Sequence, residues 1–145
     1  MAEQETRYLS VLQVIGLHAV ILEQTGSPIA PLREEGLLES AVLRPQTAAY
    51  YEQADLARQA AVLAVGIAQA QAFLDGNKRV AFGAMDVFLR LNGVAFVGQK
   101  DDAVQQFEAL ATRTDSQEAA TARFEDWLRK NTGPLEGAAG AADEG

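Results

Sequence analysis

The sequence predicts an all-α domain with at most a minor pair of short strands. Of its 145 residues, 48% are hydrophobic and 22% are charged, and the dense use of Ala and Leu favours helix. Apolar residues recur at helical spacing, whereas runs of β-branched residues are few and short. This length suffices for one hydrophobic core. We therefore expect a compact helical bundle over residues 1–132, followed by a disordered acidic tail rich in Gly and Ala over 133–145.

The first helix is predicted to begin after Ser10. Ser10 and Gln13 have the spacing of a capping box, and apolar residues then recur on one face as far as Gly26. Immediately before this helix, Tyr8-Leu9 is predicted to form a short edge strand, which we expect to pair with residues 94–97.

Two further helices follow. The first is predicted to begin at the acidic pair Glu34-Glu35 and to end near Leu43, because Pro45 disfavours helical geometry in the residue before it. The next is predicted to begin after Asp55, a favourable N-cap residue, and to end near Ala72. It is apolar on nearly every face, so we expect it to be the central, most buried helix.

The remaining helices have clear boundary signals. Asn77 is predicted to cap a fourth helix that stops at Asn92-Gly93, while Asp101 and Ser116 are predicted to begin the last two. Aromatic residues of these last helices fall at core spacing, and we expect them to pack inside the domain rather than stack on nucleic-acid bases. They are Phe107, Phe124 and Trp127.

The charge and composition exclude several classes of function. The net charge of −8 and the isoelectric point near 4.6 disfavour binding to nucleic acid or anionic lipid. Absence of Cys excludes disulfides and thiolate metal sites. Residues 1–5 are polar and acidic, unlike a signal peptide, and no apolar run reaches membrane-spanning length. We therefore expect a cytoplasmic protein without nucleic-acid or membrane partners.

The segment Asp75-Gly76-Asn77-Lys78-Arg79 joins the third and fourth predicted helices. The first amides of a helix have no partner inside it, and the helix dipole places partial positive charge there. Gly76 allows the backbone to approach a ligand closely, and Lys78 and Arg79 add fixed positive charge. This segment therefore has the chemistry of a phosphate-binding site.

Asp75 is the exception in this positive segment, because a carboxylate beside a phosphate repels it unless a cation lies between them. Mg²⁺ prefers one or two carboxylates together with phosphate oxygens and water, which favours Mg²⁺ at Asp75. Alternatively, Asp75 only pairs with Arg79 and Asn77 only caps a helix. On the residues alone, both interpretations stay open.

Three other polar residues are weaker candidates. His18, the only histidine, lies on the apolar face of the first helix, so we expect a buried structural role rather than catalysis. Arg33 and Arg44 flank the second helix and are candidates for contacting phosphate or substrate, although exposed arginines without such a role are commoner.

The loop resembles the Fic motif, usually written His-x-Phe-x-Asp/Glu-Gly-Asn, in its death-on-curing form, which ends Asn-Lys-Arg. The matching residues are Phe73, Asp75, Gly76, Asn77, Lys78 and Arg79. The similarity extends to Leu17-His18, 36–41, Arg44-Pro45-Gln46, Gly66-Ile67-Ala68, Phe88-Leu89 and Leu91-Asn92-Gly93. It covers roughly residues 8–97, and this spread makes coincidence an unlikely explanation.

The resemblance implies a helical toxin that binds ATP with Mg²⁺ and transfers a phosphate-containing group to a protein hydroxyl. Typical Fic proteins transfer a nucleotidyl group. In the death-on-curing branch, where Lys replaces the second Gly as Lys78 does here, the toxin phosphorylates translation elongation factor Tu, and a small antitoxin restrains it. By position, Phe73 would anchor the loop, Asp75 would hold Mg²⁺, Asn77 would bind phosphate oxygens, and Lys78 and Arg79 would neutralise the triphosphate.

The family's catalytic histidine corresponds to Gln71. A glutamine amide cannot accept a proton near neutral pH, whereas an imidazole can. General-base catalysis typically contributes about 10² to 10⁴ in rate, so we expect binding without efficient chemistry. The alternatives are a non-catalytic relative that regulates through nucleotide or partner binding, a Fic-type nucleotidyltransferase, and a plain helical interaction module.

Overall fold

The computed structural model describes residues 5–135, which form six helices and one two-stranded antiparallel sheet. This confirms the predicted all-α class with a minor pair of strands. The helices are α1 (Val11–Gln24), α2 (Glu35–Glu52), α3 (Leu56–Ala70), α4 (Asn77–Leu91), α5 (Lys100–Thr112) and α6 (Gln117–Arg129). The strands are β1 (Val94–Phe96) and β2 (Thr132–Pro134). None of the helices in the described range is both long and apolar enough to cross a membrane.

Helix α3 is the centre of the fold, as predicted. Every residue from Gln59 to Gln69 is buried, and the helix packs against α2, α4, α5 and α6. The Asp55 side chain accepts a hydrogen bond from the Arg58 amide, which confirms Asp55 as the N-cap. Because α3 is surrounded, its C-terminal end is held firmly where it leaves the core.

Helix α2 continues through Pro45 to Glu52, so the predicted end near Leu43 is wrong. A proline inside a helix removes one backbone hydrogen bond and costs about 3 kcal/mol. Here the buried face of α2 runs across the proline and packs on α3. Its members are Leu38, Ala41, Val42, Pro45 and Ala48. Burial on both sides of Pro45 outweighs the local preference, since helices in proteins depend mainly on tertiary packing.

The predicted pairing of Tyr8-Leu9 with residues 94–97 is also wrong. Strand β1 pairs with β2, with Ala95 opposite Gly133. The Tyr8 hydroxyl instead donates to Gln59 Oε1 at 2.8 Å. The neighbouring backbone of Arg7 is satisfied by a side chain, because its N–H and C=O bond to the Asn92 amide group at 2.9 and 3.0 Å.

Strand β2 extends past residue 132, where the sequence predicts the helical domain to end. The boundary predicted at residue 132 falls inside β2, and the Leu135 amide donates to Gly93 O at 3.1 Å. The fold therefore includes residues 133–135, which the sequence prediction assigned to the tail. The rest of the predicted tail, residues 136–145, lies outside the described part of the chain.

The aromatic residues of α5 and α6 pack as predicted. Phe107 and Phe124 are buried with ring centroids 5.1 Å apart, and Trp127 lies 5.3 Å from Phe124 and is partly buried. These rings close the core on the side of α5 and α6, so they do not form an exposed stacking surface.

Candidate functional site

The motif loop, residues 71–76, connects α3 to α4 by a sharp turn. Both of its ends have left-handed backbone, Gln71 with φ 52° and Gly76 with φ 82°. A Cβ at Gly76 would lie 3.1 Å from both His18 Nε2 and Leu22 Cδ2. Glycine is therefore favoured at position 76 by the backbone conformation and by the close approach of α1.

His18 and Phe73 fasten the motif loop to the core. Nε2 of His18 donates to Asp75 O at 2.8 Å, and its ring stacks on Phe73 with centroids 3.7 Å apart. Both side chains are buried. His18 thus has the structural role that the sequence predicts, and Phe73 lies where a loop anchor should.

Asn77 does not cap α4, which corrects the sequence prediction. The cap position is Gly76, and no side chain accepts from the first turn. Asn77 Oδ1 accepts from the Phe73 amide at 3.1 Å, while Nδ2 donates to Phe73 O at 2.8 Å and to Gln71 Oε1 at 3.4 Å. The amide group of Asn77 therefore bridges the motif loop and fixes its shape.

The segment before α2 lines the outer edge of the motif loop. Leu32 and Phe73 form an isolated antiparallel bridge, and the Arg33 and Glu34 amides donate to Ala72 O at 2.7 and 3.0 Å. The Arg33 guanidinium donates to Gln71 O at 2.7 Å. This segment satisfies backbone carbonyls at the end of α3.

An open cleft of about 1010 Å³ lies between the end of α3, the start of α4 and the end of α5. All five residues of the predicted phosphate-binding segment line it, together with Gln71. The amides of residues 77–79 open α4, and within residues 5–135 none has a backbone or side-chain acceptor. The cleft therefore contains the unsatisfied amides and partial positive charge of a helix N-terminus.

The charged side chains of the cleft are arranged around this helix start. Arg79 contacts the Asp75 carboxylate at 3.5 Å, as one of the two interpretations predicts, and donates to Thr25 and Ser27 hydroxyls at 2.7 and 3.0 Å. The Asp75 side chain is 66% exposed. Lys78 has no carboxylate partner among the described residues. Its positive charge is available to a ligand.

Gln71 occupies the position of the family's histidine at the mouth of the cleft. Its Nε2 donates to Ala68 O at 2.9 Å, and its Oε1 accepts from Asn77. Nε2 thus closes the C-terminal turn of α3, and Oε1 links that turn to the start of α4. The side chain is a helix-end contact in this conformation and offers no basic atom to a substrate.

The cleft also contains a residue that sequence reasoning missed. Arg113, at the C-cap of α5, lines the cleft and donates to Gln69 O. No local pattern marks Arg113, because its position depends on how α5 packs on α3. Conversely, Arg44 does not line the cleft, and burial followed by the charge of Arg58 lowers its pKa below the ordinary value.

The sequence of this chain is similar to those of known proteins. The Fic/DOC family model matches residues 8–89. The chain is 40% identical to a toxin Doc of Mycolicibacterium smegmatis over 57% of this chain and 66% of the relative. It is 33% identical to the protein kinase doc of Escherichia phage P1 over 61% of this chain and 70% of the relative. The matched segment spans about two thirds of each relative. These similarities show that this chain belongs to the Doc branch of the Fic/DOC family.

Proposed function

We propose that this chain is the toxin of a toxin-antitoxin module whose cleft binds ATP with Mg²⁺ for transfer of a phosphoryl group to a protein hydroxyl. The observation that carries the proposal is the start of α4, where free amides, Lys78 and Arg79 border one cleft. A triphosphate is a suitable ligand because helix N-termini and cationic side chains stabilise phosphate charge together. Following the family resemblance, the proposed target is elongation factor Tu, and the protein would act in the cytoplasm.

Each residue of the motif has a proposed role that fits its position. Lys78 and Arg79 would neutralise the triphosphate, and Gly76 gives the backbone room to approach it. Asn77 would contribute its backbone N–H, because its side chain is already bonded within the motif loop. Phe73 keeps the motif loop in place.

Mg²⁺ fits this cleft through Asp75. Within residues 5–135, no group of three or more acidic, His or Cys side chains could hold a metal unaided. Mg²⁺ commonly uses one or two carboxylates, with substrate phosphates and water completing its ligands. The exposed Asp75 carboxylate beside the helix start meets that requirement, and bound Mg²⁺ would supply charge neutralisation at the phosphates.

We further propose that Gln71 leaves nucleotide binding intact and slows the transfer. Removal of a proton from an attacking hydroxyl needs a base, and an amide is not one near neutral pH. The expected deficit is about 10² to 10⁴ in rate. A chain in this state would also suit the alternative function, regulation by binding nucleotide or partner without turnover.

The test is to restore the histidine with Gln71→His and to incubate the variant with elongation factor Tu and labelled ATP. Label from the γ-phosphate should enter the factor at least about 10²-fold faster than with the unaltered chain. The double change Gln71→His/Lys78→Ala is the matched control, since it has the base and lacks the phosphate contact. Transfer of α-phosphate label would instead identify a nucleotidyltransferase. No transfer of either label, with ATP still bound, would favour the regulator.

A second groove, of about 720 Å³, lies between α1, α4 and α5, and we place the antitoxin there. It is lined by apolar residues such as Leu17, Phe82 and Val104, and it is continuous with Lys78 and Arg79. An apolar antitoxin segment seated in it would therefore reach the phosphate-binding cations. Val104 is 50% exposed, so Val104→Arg should preserve the fold and ATP binding while abolishing antitoxin binding. Unchanged antitoxin affinity would exclude this groove.

A further inference from the structure

Arg113 is an arginine in a conformation that ordinarily favours glycine. It caps α5 with left-handed backbone, φ 51°, and it lies outside residues 8–89, which the family model matches. Glycine is the common residue at such helix ends because any Cβ strains the left-handed conformation. Among the described residues, positive φ outside glycine occurs at Gln53, Gln71 and Arg113, and the latter two both line the cleft.

The guanidinium of Arg113 has bonding capacity left after its one protein contact. Nη2 donates to Gln69 O, which is the only acceptor that the described residues provide for it. An arginine has five N–H donors. Five other arginines of the described chain contact carboxylates: Arg58, Arg79, Arg90, Arg123 and Arg129. Arg113 contacts none within that range, so its positive charge is not neutralised by an ion pair.

Arg113 lies where the carbonyl oxygens at the end of α3 would otherwise repel an anion in the cleft. The N-terminus of α4 and the C-terminus of α3 border the same cavity. The carbonyls that end a helix carry partial negative charge and repel an anion. By bonding to Gln69 O, Arg113 places a positive charge beside one of these carbonyls. The cleft is then lined by Lys78, Arg79 and Arg113 against the single carboxylate of Asp75.

We propose that Arg113 is a third phosphate-binding cation of the cleft, contributed by the end of α5 from outside the Fic motif. It would donate to phosphate oxygens of the bound polyphosphate on the α3 side, opposite the start of α4. This inference rests on the proposed function, because it assigns a further contact to the same ligand. The competing explanation is that Arg113 only caps α3.

Arg113→Gly separates the two explanations. Glycine relieves the backbone strain at this position, so the loss of the cap should leave the melting temperature nearly unchanged. The affinity for inorganic tripolyphosphate and for ATP·Mg²⁺ should fall roughly tenfold, as expected for loss of a charged hydrogen bond. Adenosine binding should not change. Arg113→Lys, which keeps the charge, should recover part of the polyphosphate affinity.

Arg33→Ala is the matched control. Arg33 also bonds to a carbonyl at the end of α3, Gln71 O, but does not line the cleft. The affinity of the Arg33→Ala variant for polyphosphate should therefore differ from that of the unaltered chain by less than about twofold. If Lys78→Ala weakens tripolyphosphate binding and Arg113→Gly does not, the role of Arg113 is refuted while the proposed function stands. If the unaltered chain does not bind tripolyphosphate or ATP·Mg²⁺, both proposals are refuted. A lower melting temperature with unchanged affinity would establish the structural explanation.

Discussion

The arginines at the two ends of α3 differ in the groups that they contact. At the N-terminal end, Arg58 contacts Glu125 at 3.3 Å, and Arg129 contacts Glu125 and Asp55 at 2.6 and 2.9 Å. The pairs Arg58–Glu125 and Arg129–Asp55 join α3 and its N-cap to α6. Each positive charge there is matched by a carboxylate, so the cluster needs no ligand.

At the C-terminal end, two arginines contact backbone carbonyls, while Arg79 contacts the Asp75 carboxylate. Arg33 bonds to Gln71 O and Arg113 to Gln69 O, while neighbouring Lys78 has no carboxylate partner in the described part of the chain. A chain with net charge −8 has many acidic residues with which to neutralise these groups. The positive charge left at this end of α3 is what the proposed binding of phosphate requires.

Among substitutions at the two ends of α3, we expect Gly76→Ala, at the C-terminal end, to lower the free energy of unfolding most. The new Cβ would be strained at φ 82° and would press on His18 and Leu22, which are both buried. We expect a loss of about 2–3 kcal/mol in the free energy of unfolding. Gly93→Ala is the matched control, since Gly93 has φ 81° and open space around it. It should cost about 1 kcal/mol.

Urea unfolding of the two glycine variants measures this difference. Equal losses would show that the contact with α1 does not constrain the motif loop, and the tight packing assigned to this end of α3 would then be wrong.

A smaller effect is expected from Asp55→Asn at the N-terminal end. The hydrogen bond from Arg129 holds the pKa of Asp55 below its ordinary value of 3.8. A carboxyl whose pKa is lower in the folded state stabilises the fold above the unfolded pKa, and this stabilisation is lost as the pH falls through the folded pKa. Asparagine keeps the N-cap but does not titrate. At neutral pH, the variant should be less stable by no more than about 1 kcal/mol, because the pair is exposed.

Thermal unfolding from neutral to acid pH checks this expectation. The difference in melting temperature between the two proteins should shrink as the pH falls below 3.8, the ordinary pKa of the carboxyl. A difference that stays constant over this range would mean that the ion pair contributes nothing. Nucleotide affinity at neutral pH should be the same in both proteins, because the N-terminal end of α3 lies outside the cleft.

These two ends also show what the sequence can and cannot predict. The N-cap of Asp55 and the position of the turn between α3 and α4 are local properties, and both follow from residue types and spacing. The continuation of α2 through Pro45 depends on packing against α3, which local propensity does not include. The residue types and spacing predict that Asn77 caps α4, but its side chain bonds to the backbone of Phe73, which comes within reach only in the folded loop.

Arg113 shows the same limit within the cleft. It follows the motif by more than thirty residues in sequence, and its contact with Gln69 O arises from the docking of α5 on α3. A motif predicts the residues that it contains, whereas the charges facing it from another helix require the folded chain.

The most direct test of ligand binding at the start of α4 is calorimetric titration of ATP·Mg²⁺ into the unaltered chain and into Lys78→Ala. Lys130→Ala is the matched control, because it removes the same charge at the end of α6, outside the cleft. We predict saturable binding that Lys78→Ala weakens roughly tenfold or more and that Lys130→Ala leaves unchanged. Absence of binding, or equal affinity in all three proteins, would contradict a phosphate-binding role for this cleft.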